Sequence, residues 1–383
     1  MRLITFDHVS KIYRGQEKKV IDDISFTVEQ GEIAVLIGPS GCGKTTCLKM
    51  INRLIPISSG SITVGGQDVS QADPIELRRK MGYVIQQTGL FPHMTVRQNI
   101  EIIPRLEKQD PSRIEKKTES LMQMVGLDPA EYMDRYPTQL SGGQLQRVGV
   151  ARAFATDPEV ILMDEPFSAL DPITRRQLQD ELLFLQAQLK KTIVLVTHDM
   201  DEAIKLADHI GIINHGRLVQ YDTPERIMKE PADAYVAQFV GPNRIWSNPE
   251  YIRARDIMIA DPVVAPLGLS AIKTMEIMRT YKVDSALVLD PDDHLMGVAR
   301  ALDIQNAPDK SVSNETLLRQ PKATAAPEDN IIELLTRIRK AGTGALPIVD
   351  GDGRLQGLVT NSSLVTAMSQ QYIPIAGEEA QQA

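Results

Sequence analysis

No apolar run in the sequence approaches the roughly 18 to 20 residues needed to cross a bilayer, so any membrane role has to come through partner subunits. The opening, Met1-Arg2-Leu3-Ile4-Thr5-Phe6-Asp7, lacks a secretory pattern and predicts a cytosolic protein. Cysteine is almost missing. Cys42 and Cys47 are the two present, five residues apart in a glycine-rich segment. That spacing suits neither a disulfide framework nor a zinc site, and a reducing compartment is the natural one. Positive charge is in deficit too: 42 basic against 50 acidic residues leave a formal charge of -8. Such a chain has no global attraction to polyanions, which makes nucleic acid a poor partner. The local clusters Arg78-Arg79-Lys80 and Lys116-Lys117 read as solvated faces. Apolar residues at 42% and charged residues at 24% are ordinary globular usage and exclude a disordered, collagen-like or disulfide-stapled chain.

What is present is length and alternation. The 383 residues suffice for two or three domains at roughly 100 to 200 residues each. Ile33-Ala34-Val35-Leu36-Ile37, Val160-Ile161-Leu162-Met163 and Thr192-Ile193-Val194-Leu195-Val196 are continuous apolar runs, as expected of strands buried on both faces of a largely parallel sheet. Each run ends at polar residues, and ligands of open α/β sheets bind beyond the carboxyl ends of the strands. Turn formers crowd Gly241-Pro242-Asn243-Arg244-Ile245-Trp246-Ser247-Asn248-Pro249, which reads as a linker over 241–251. Beyond it lies an internal repeat offset by 60 residues: Ala286-Leu287-Val288-Leu289-Asp290 matches Leu346-Pro347-Ile348-Val349-Asp350, and Leu295-Met296-Gly297-Val298 matches Leu355-Gln356-Gly357-Leu358. In the helices before them, Ile272, Met275 and Met278 correspond to Ile332, Leu335 and Ile338 and predict one buried face in each copy.

The chemistry sits in the first two-thirds. Gly38-Pro39-Ser40-Gly41-Cys42-Gly43-Lys44-Thr45, followed by Thr46, matches the Walker A pattern in its required place between a strand and a helix. Glycines let backbone N–H groups curl around phosphate oxygens while the helix N-terminus adds a favourable dipole. Lys44 would reach the outer phosphates of ATP and Thr45 would hold Mg2+. The run ending at Asp164-Glu165 delivers adjacent carboxylates. Asp164 is placed to bind magnesium, directly or through water, and Glu165 to polarise an attacking water as general base. Leu140-Ser141-Gly142-Gly143-Gln144 precedes a predicted helix from about Leu145 to Ala155, so its amides, hydroxyl and helix end form a second anion clamp.

Ser141, Gly142, Gly143 and Gln144 look like the signature motif of ABC ATPases, and further motifs follow in that family's order. Gln86 resembles the Q-loop glutamine that touches magnesium and water, Ser168-Ala169-Leu170-Asp171 the D-loop, His198 the switch histidine, and Tyr13 the aromatic that stacks on adenine. The resemblance covers residues 1–240 and implies an α/β fold: a P-loop NTPase of ABC cassette type, with a mixed sheet core and a helical subdomain at about 88–158. It also implies a head-to-tail homodimer with two composite sites, in which Ser141–Gln144 and Asp171 of one copy complete the other copy's nucleotide site. Gly89-Leu90-Phe91-Pro92-His93-Met94-Thr95-Val96 occupies the place where family members present a groove to a membrane subunit, which makes His93 an interface residue.

Lys49-Met50-Ile51-Asn52-Arg53-Leu54, Asp171-Pro172-Ile173-Thr174-Arg175 and His198-Asp199-Met200-Asp201-Glu202-Ala203 are similar to the importers of glycine betaine, carnitine, choline and related osmoprotectants. The repeats, at 252–310 and 315–372, resemble a tandem CBS module of α+β type, and 373–383 is a short tail. Ligand-binding CBS motifs pair a hydroxyl with an acid beside the ribose. The first copy keeps Asp303 but has Arg300 for the hydroxyl, while the second keeps Thr360 and loses the acid. Nucleotide binding, ion sensing and simple dimerisation therefore all stay open for the pair. The expectation is an ATP-hydrolysing importer subunit on the cytoplasmic face of the cell membrane, docked on integral membrane permease subunits and fed by an external solute-binding protein. An amino-acid or other cation importer, and a non-transport ABC ATPase, are the alternatives.

Overall fold

The computed structural model describes residues 1–86, 89–241 and 244–369, and the chain divides into two compact units at Val240–Gly241. In the first unit the elements run β1 (Arg2–Lys11), β2 (Ile21–Glu29), β3 (Ile33–Ile37), α1 (Lys44–Ile51), β4 (Ser59–Val64), β5 (Gln67–Asp68), α2 (Pro74–Arg79) and β6 (Met81–Val84). A helical stretch follows, with α3 (Val96–Leu106), α4 (Pro111–Met124), α5 (Pro129–Tyr132) and α6 (Gly142–Phe154). The chain then returns to the sheet through β7 (Val160–Asp164), α7 (Pro172–Leu189), β8 (Thr192–Thr197), α8 (Met200–Leu206), β9 (His209–Asn214), β10 (Arg217–Asp222), α9 (Pro224–Lys229) and α10 (Ala234–Val240).

The three apolar runs are the heart of a six-stranded sheet ordered β10-β9-β3-β8-β7-β6. Strands β3, β7 and β8 are buried along their whole length, because helices cover both faces. β3, β6, β7, β8 and β9 pair parallel, and β10 closes one edge antiparallel. A second, antiparallel sheet, β2-β1-β4-β5, lies over α1 through Ile4, Phe6, Ile24, Leu48 and Ile51. Register matters most at the carboxyl ends: Ile37 pairs with Thr197 and Asp164 with Val196, so three strands finish at one level.

The second unit contains α11 (Ala254–Ile257), β11 (Val264–Pro266), α12 (Ala271–Tyr281), β12 (Ser285–Leu289), β13 (Leu295–Arg300) and α13 (Ala301–Asn306). The copy 60 residues on supplies α14 (Ile331–Ala341), β14 (Ala345–Val349), β15 (Leu355–Thr360) and α15 (Asn361–Ser369). The two copies interlock by exchange. Ile259 bridges Leu358 on β15 while Arg319 bridges Val298 on β13, and the hairpin tips pair reciprocally through Leu295 N–H to Gly353 O (3.1 Å) and Leu355 N–H to Asp293 O (3.0 Å). An internal pseudo-two-fold therefore relates the repeats.

Two expectations need correction. The stretch taken as a linker forms 3-10 turns at Arg244–Ser247 and Pro249–Tyr251, with Ile245 and Trp246 packed on the core of the second copy. Pro242, Asn243 and the tail 373–383 lie outside the described residues. The buried face of the repeat helices is also shifted. Ala271, Met275 and Met278 face inward and Ile272 outward, while Ile331 and Leu334 are buried and Ile332 and Leu335 exposed. At about 100° per residue, positions three apart drift round a helix, so the first and last of the expected trio lie about 120° apart. The 271/275/278 set spans only about 60° and makes one stripe.

Leu334→Ala should therefore cost about 2 to 5 kcal/mol, and Leu335→Ala less than about 1 kcal/mol. Urea unfolding of the full chain, followed by the fluorescence of its single tryptophan, Trp246, reads this core directly. Equal losses for the two variants would refute the assigned face.

Candidate nucleotide and hydrolysis site

The loop between β3 and α1 owes its path to glycine. Gly43 has φ of 111°, and a Cβ there would come within 2.4 Å of Ile21 Cδ1; at Gly38 it would meet the Ile213 carbonyl oxygen at 2.1 Å. No larger residue fits either place. Pro39, Ser40 and Gly41 stay exposed at the crest, Cys42 and Lys44 are buried, and Thr45 and Thr46 are half-buried at the start of α1. The Lys44 ammonium donates to the Gly38 and Pro39 carbonyls at 2.7 and 3.0 Å, so it sits inside the loop it follows. Cys42 and Cys47 are both free thiols packed in the core, and burial pushes both thiols up.

Across from this loop, Thr45 Oγ1 donates to Asp164 Oδ1 at 2.8 Å. Burial pushes the Asp164 carboxyl up, with the Thr45 hydrogen bond pulling the other way. A buried carboxylate beside a hydroxyl is an oxygen donor set of the kind hard cations prefer. One residue on, the chain turns with Glu165 at φ of 45°, a conformation uncommon for a residue with a side chain. Three hydrogen bonds hold it there: Glu165 N–H donates to Val196 O at 3.0 Å, and its own carbonyl accepts from Ser168 N–H at 3.4 Å and Ser168 Oγ at 3.0 Å. The turn aims the Glu165 carboxylate at two neighbours, Gln86 Nε2 at 3.1 Å and His198 Nδ1 at 3.4 Å. Gln86 follows β6, Glu165 follows β7 and His198 follows β8, so the three meet because their strands end together.

The remaining expected residues lie in other neighbourhoods. Ser141 is the N-cap of α6, accepting from Gln144 N–H at 3.3 Å, while Gln144 Oε1 accepts from Ser141 N–H at 2.8 Å. This capping box starts the helix at Gly142, three residues before the expected Leu145. Gly142 and Gly143 thus form its first turn, with Thr174 of α7 so close that a Cβ on Gly143 would meet its Cγ2 at 2.8 Å. Asp171 caps α7, accepting from the N–H groups of Ile173 and Thr174 at 3.1 Å each. None of the hydrogen bonds of Ser141–Gln144 or Asp171 among the described residues reaches the Lys44, Asp164 or Glu165 groups. Tyr13 follows β1 with its ring 5.2 Å from Lys11 Nζ, and no described hydrogen bond or ring contact ties it to the Gly38–Thr46 loop.

The sequence reading assigned no role to Arg175, Thr197 or Glu202. Glu202 is buried and accepts from Thr197 Oγ1 at 2.7 Å, with Arg175 Nε 3.7 Å from its other oxygen. The signal was present only as an arginine ten residues past Glu165 and an acid four residues past His198, spacings that carry no pattern alone.

A second cavity, of about 520 Å³, straddles the pseudo-two-fold of the C-terminal unit, with Arg300 of the first copy facing the place of Thr360 in the second, and Arg319 and Lys322 on its wall. The hydroxyl expected to face a ribose is engaged, and so is one oxygen of the acid, while Asp303 Oδ2 has no hydrogen-bond partner among the described residues. Asp303 Oδ1 accepts from Arg319 Nη2 at 2.5 Å, and Thr360 Oγ1 shares a hydrogen bond with Ser363 Oγ at 3.1 Å.

A glycine loop at a helix start, a threonine–aspartate pair and a glutamate between a glutamine and a histidine define a P-loop nucleotide hydrolase. Comparison with known proteins narrows the class. Residues 21–168 match the ABC transporter family model, and residues 254–310 and 315–370 each match the CBS domain model. The choline transport ATP-binding protein OpuBA of Bacillus subtilis is 45% identical over 99% of both chains. The osmoprotectant import ATP-binding protein OsmV of Salmonella typhimurium is 40% identical over 96% of both. Among solved structures, the bacterial ABC transporter cassette MJ0796, a dimer, superposes with a TM-score of 0.54 at 30% identity, covering 58% of this chain and 99% of its own. The chain belongs to the ATP-binding proteins of ABC transporters, in the branch that carries a C-terminal CBS pair.

With both thiols packed away, alkylation of the native protein by iodoacetamide at neutral pH should run at least about tenfold slower than that of the urea-unfolded chain. Equal rates would show that the glycine loop opens far enough to expose Cys42.

Proposed function

We infer that this chain is the ATP-hydrolysing subunit that powers import of a quaternary-amine osmoprotectant of the glycine betaine, carnitine or choline type. The observation that carries the hydrolysis is the meeting of Gln86, Glu165 and His198 within 3.1 to 3.4 Å at the strand ends, beside Thr45 and Asp164. The near full-length likeness to choline and osmoprotectant transport proteins supports the cargo, for no residue of an ATPase subunit touches the solute.

In this reading the Gly38–Thr46 amides and Lys44 grip the phosphates of ATP, and Tyr13 stacks on its base. Thr45 and Asp164 would hold a magnesium ion with Gln86 nearby, and that ion would neutralise phosphate charge. Glu165 accepts the proton of the attacking water, Gln86 and His198 fix the direction of its carboxylate, and His198 donates to the terminal phosphate. Ser141, Gly142, Gly143, Gln144 and Asp171 act on the nucleotide of a second copy. Their present bonds are local, and their distance from their own Lys44 and Glu165 partners is what a site completed in trans requires. The assembly is a homodimer seated under integral membrane permease subunits and served by a separate solute-binding protein. No helix among the described residues is long and apolar enough to cross a membrane; the likeness to import ATP-binding proteins supports peripheral attachment at the cytoplasmic face. The C-terminal pair regulates transport.

Glu165→Gln should lower steady-state phosphate release by about 10²- to 10⁴-fold while ATP binding, followed by a fluorescent analogue, stays within threefold of the parent, on the order of RT ln 3. Wild-type turnover in that variant would remove Glu165 from the chemistry. Competitive uptake of a panel of quaternary amines, in cells with and without this subunit, identifies the cargo; unchanged uptake of every one would reject the osmoprotectant reading.

A further inference from the structure

The guanidinium of Arg175 touches both the D-loop and the segment that follows β8. It projects from the first turns of α7, just past the D-loop. Its Nη2 donates to the Leu170 carbonyl at 3.1 Å, inside that loop. Its Nη1 lies 3.4 Å from Asp199 Oδ2, at the N-cap of α8, and its Nε 3.7 Å from Glu202 Oε1, in the first turn of that helix. These two acids hold His198 from either side. Thr197 donates to Glu202 Oε2 at 2.7 Å and accepts from Asp199 N–H at 3.1 Å, while Asp199 Oδ1 accepts from Asp201 and Glu202 N–H at 2.9 and 3.3 Å, capping α8. The residues immediately before and after His198 are thus pinned, and the imidazole swings from a fixed base toward Glu165. Arg175 Nε is buried without a hydrogen-bond partner of its own, and its 3.7 Å separation from Glu202 leaves room for the contact to tighten when either loop moves.

A purely structural clamp between α7 and α8 already exists elsewhere, in the ion pair of Lys205 with Asp180 at 2.7 Å. Arg175 adds a connection of a different kind, from a backbone carbonyl of one functional loop to the carboxylates that orient the other. Lysine could not replace it, because a single ammonium cannot bridge three acceptors spread along a planar fork.

We propose that Arg175 is a positioning residue for ATP hydrolysis, tying the D-loop at Leu170 to the Asp199–Glu202 turn so that the alignment of His198 with Glu165 follows the position of the D-loop. The inference rests on the reading of His198 and Glu165 as hydrolytic groups. Its reach is geometric: a displacement of about 1 Å at reacting groups costs on the order of 10²-fold in rate.

The test is a double-mutant cycle on the full-length chain, read by phosphate release and by nucleotide affinity. Arg175→Met should lower kcat by about 10- to 100-fold with ATP affinity changed by less than about threefold, on the order of RT ln 3. Arg175→Lys, which retains the charge, should fall between the two and confirm folding by an unchanged thermal transition. In the His198→Ala background, Arg175→Met should cause almost no further loss, because its effect passes through the histidine. An equal fold-loss with and without His198, a parallel loss of ATP affinity, or wild-type turnover in Arg175→Met would each overturn the proposal. His198→Ala alone separates the two levels: full turnover there would discard the hydrolytic reading itself, and the proposal with it.

Discussion

A single backbone hydrogen bond, Glu165 N–H to Val196 O at 3.0 Å, carries the pairing of β7 with β8 one residue beyond the sheet, and much of the site depends on it. Together with the two hydrogen bonds from Ser168 it holds Glu165 at positive φ, where an extended chain would have aimed the carboxylate to one face of the sheet. Held so, the carboxylate lies across the strand ends, within reach of Gln86 from one neighbour and His198 from the other. The constraint is possible because β3, β7 and β8 are buried on both faces and cannot slip: a one-residue shift would turn every side chain to the opposite face.

Around that point the molecule separates gripping from chemistry. The glycine loop and Lys44 are built from backbone and one buried ammonium, suited to holding charge at fixed distances. Gln86, Glu165 and His198, the groups proposed for hydrolysis, hang from separate strands and stay partly exposed, so they can be realigned by small loop movements. Arg175 lies between the loop ending at Leu170 and the segment bearing His198, the place where such movement would be felt.

The C-terminal unit shows a different economy. Its repeats trade strands and hairpin tips across a pseudo-two-fold, which buries each copy's core while leaving one shared cleft. The cations Arg300, Arg319 and Lys322 line that cleft, and Arg319 pairs with one oxygen of Asp303, the acid that the first copy retained. Asp303 itself is not one of the cavity-lining residues, and its second oxygen, Oδ2, is buried without a hydrogen-bond partner among the described residues.

Most of the candidate site was legible in the order of residues, because its determinants are local: a glycine-rich loop, a strand ending in two acids, a serine capping a helix. The repeat was legible too, from its 60-residue offset. Apolar spacing alone misplaced the inward stripe of the repeat helices, since Ile272 and Ala271 differ little in pattern and only packing against β12 and β13 chooses between them. The contact between Arg175 and Glu202 was invisible for a related reason. They are 27 positions apart and acquire meaning only when α7 and α8 lie side by side. Sequence by itself determined which groups can bind phosphate, take a proton and end a helix, because these are properties of single residues and their immediate neighbours. Tertiary structure alone decided which of them share a carboxylate and which are held apart, because strand register and helix packing set distances that no local pattern encodes.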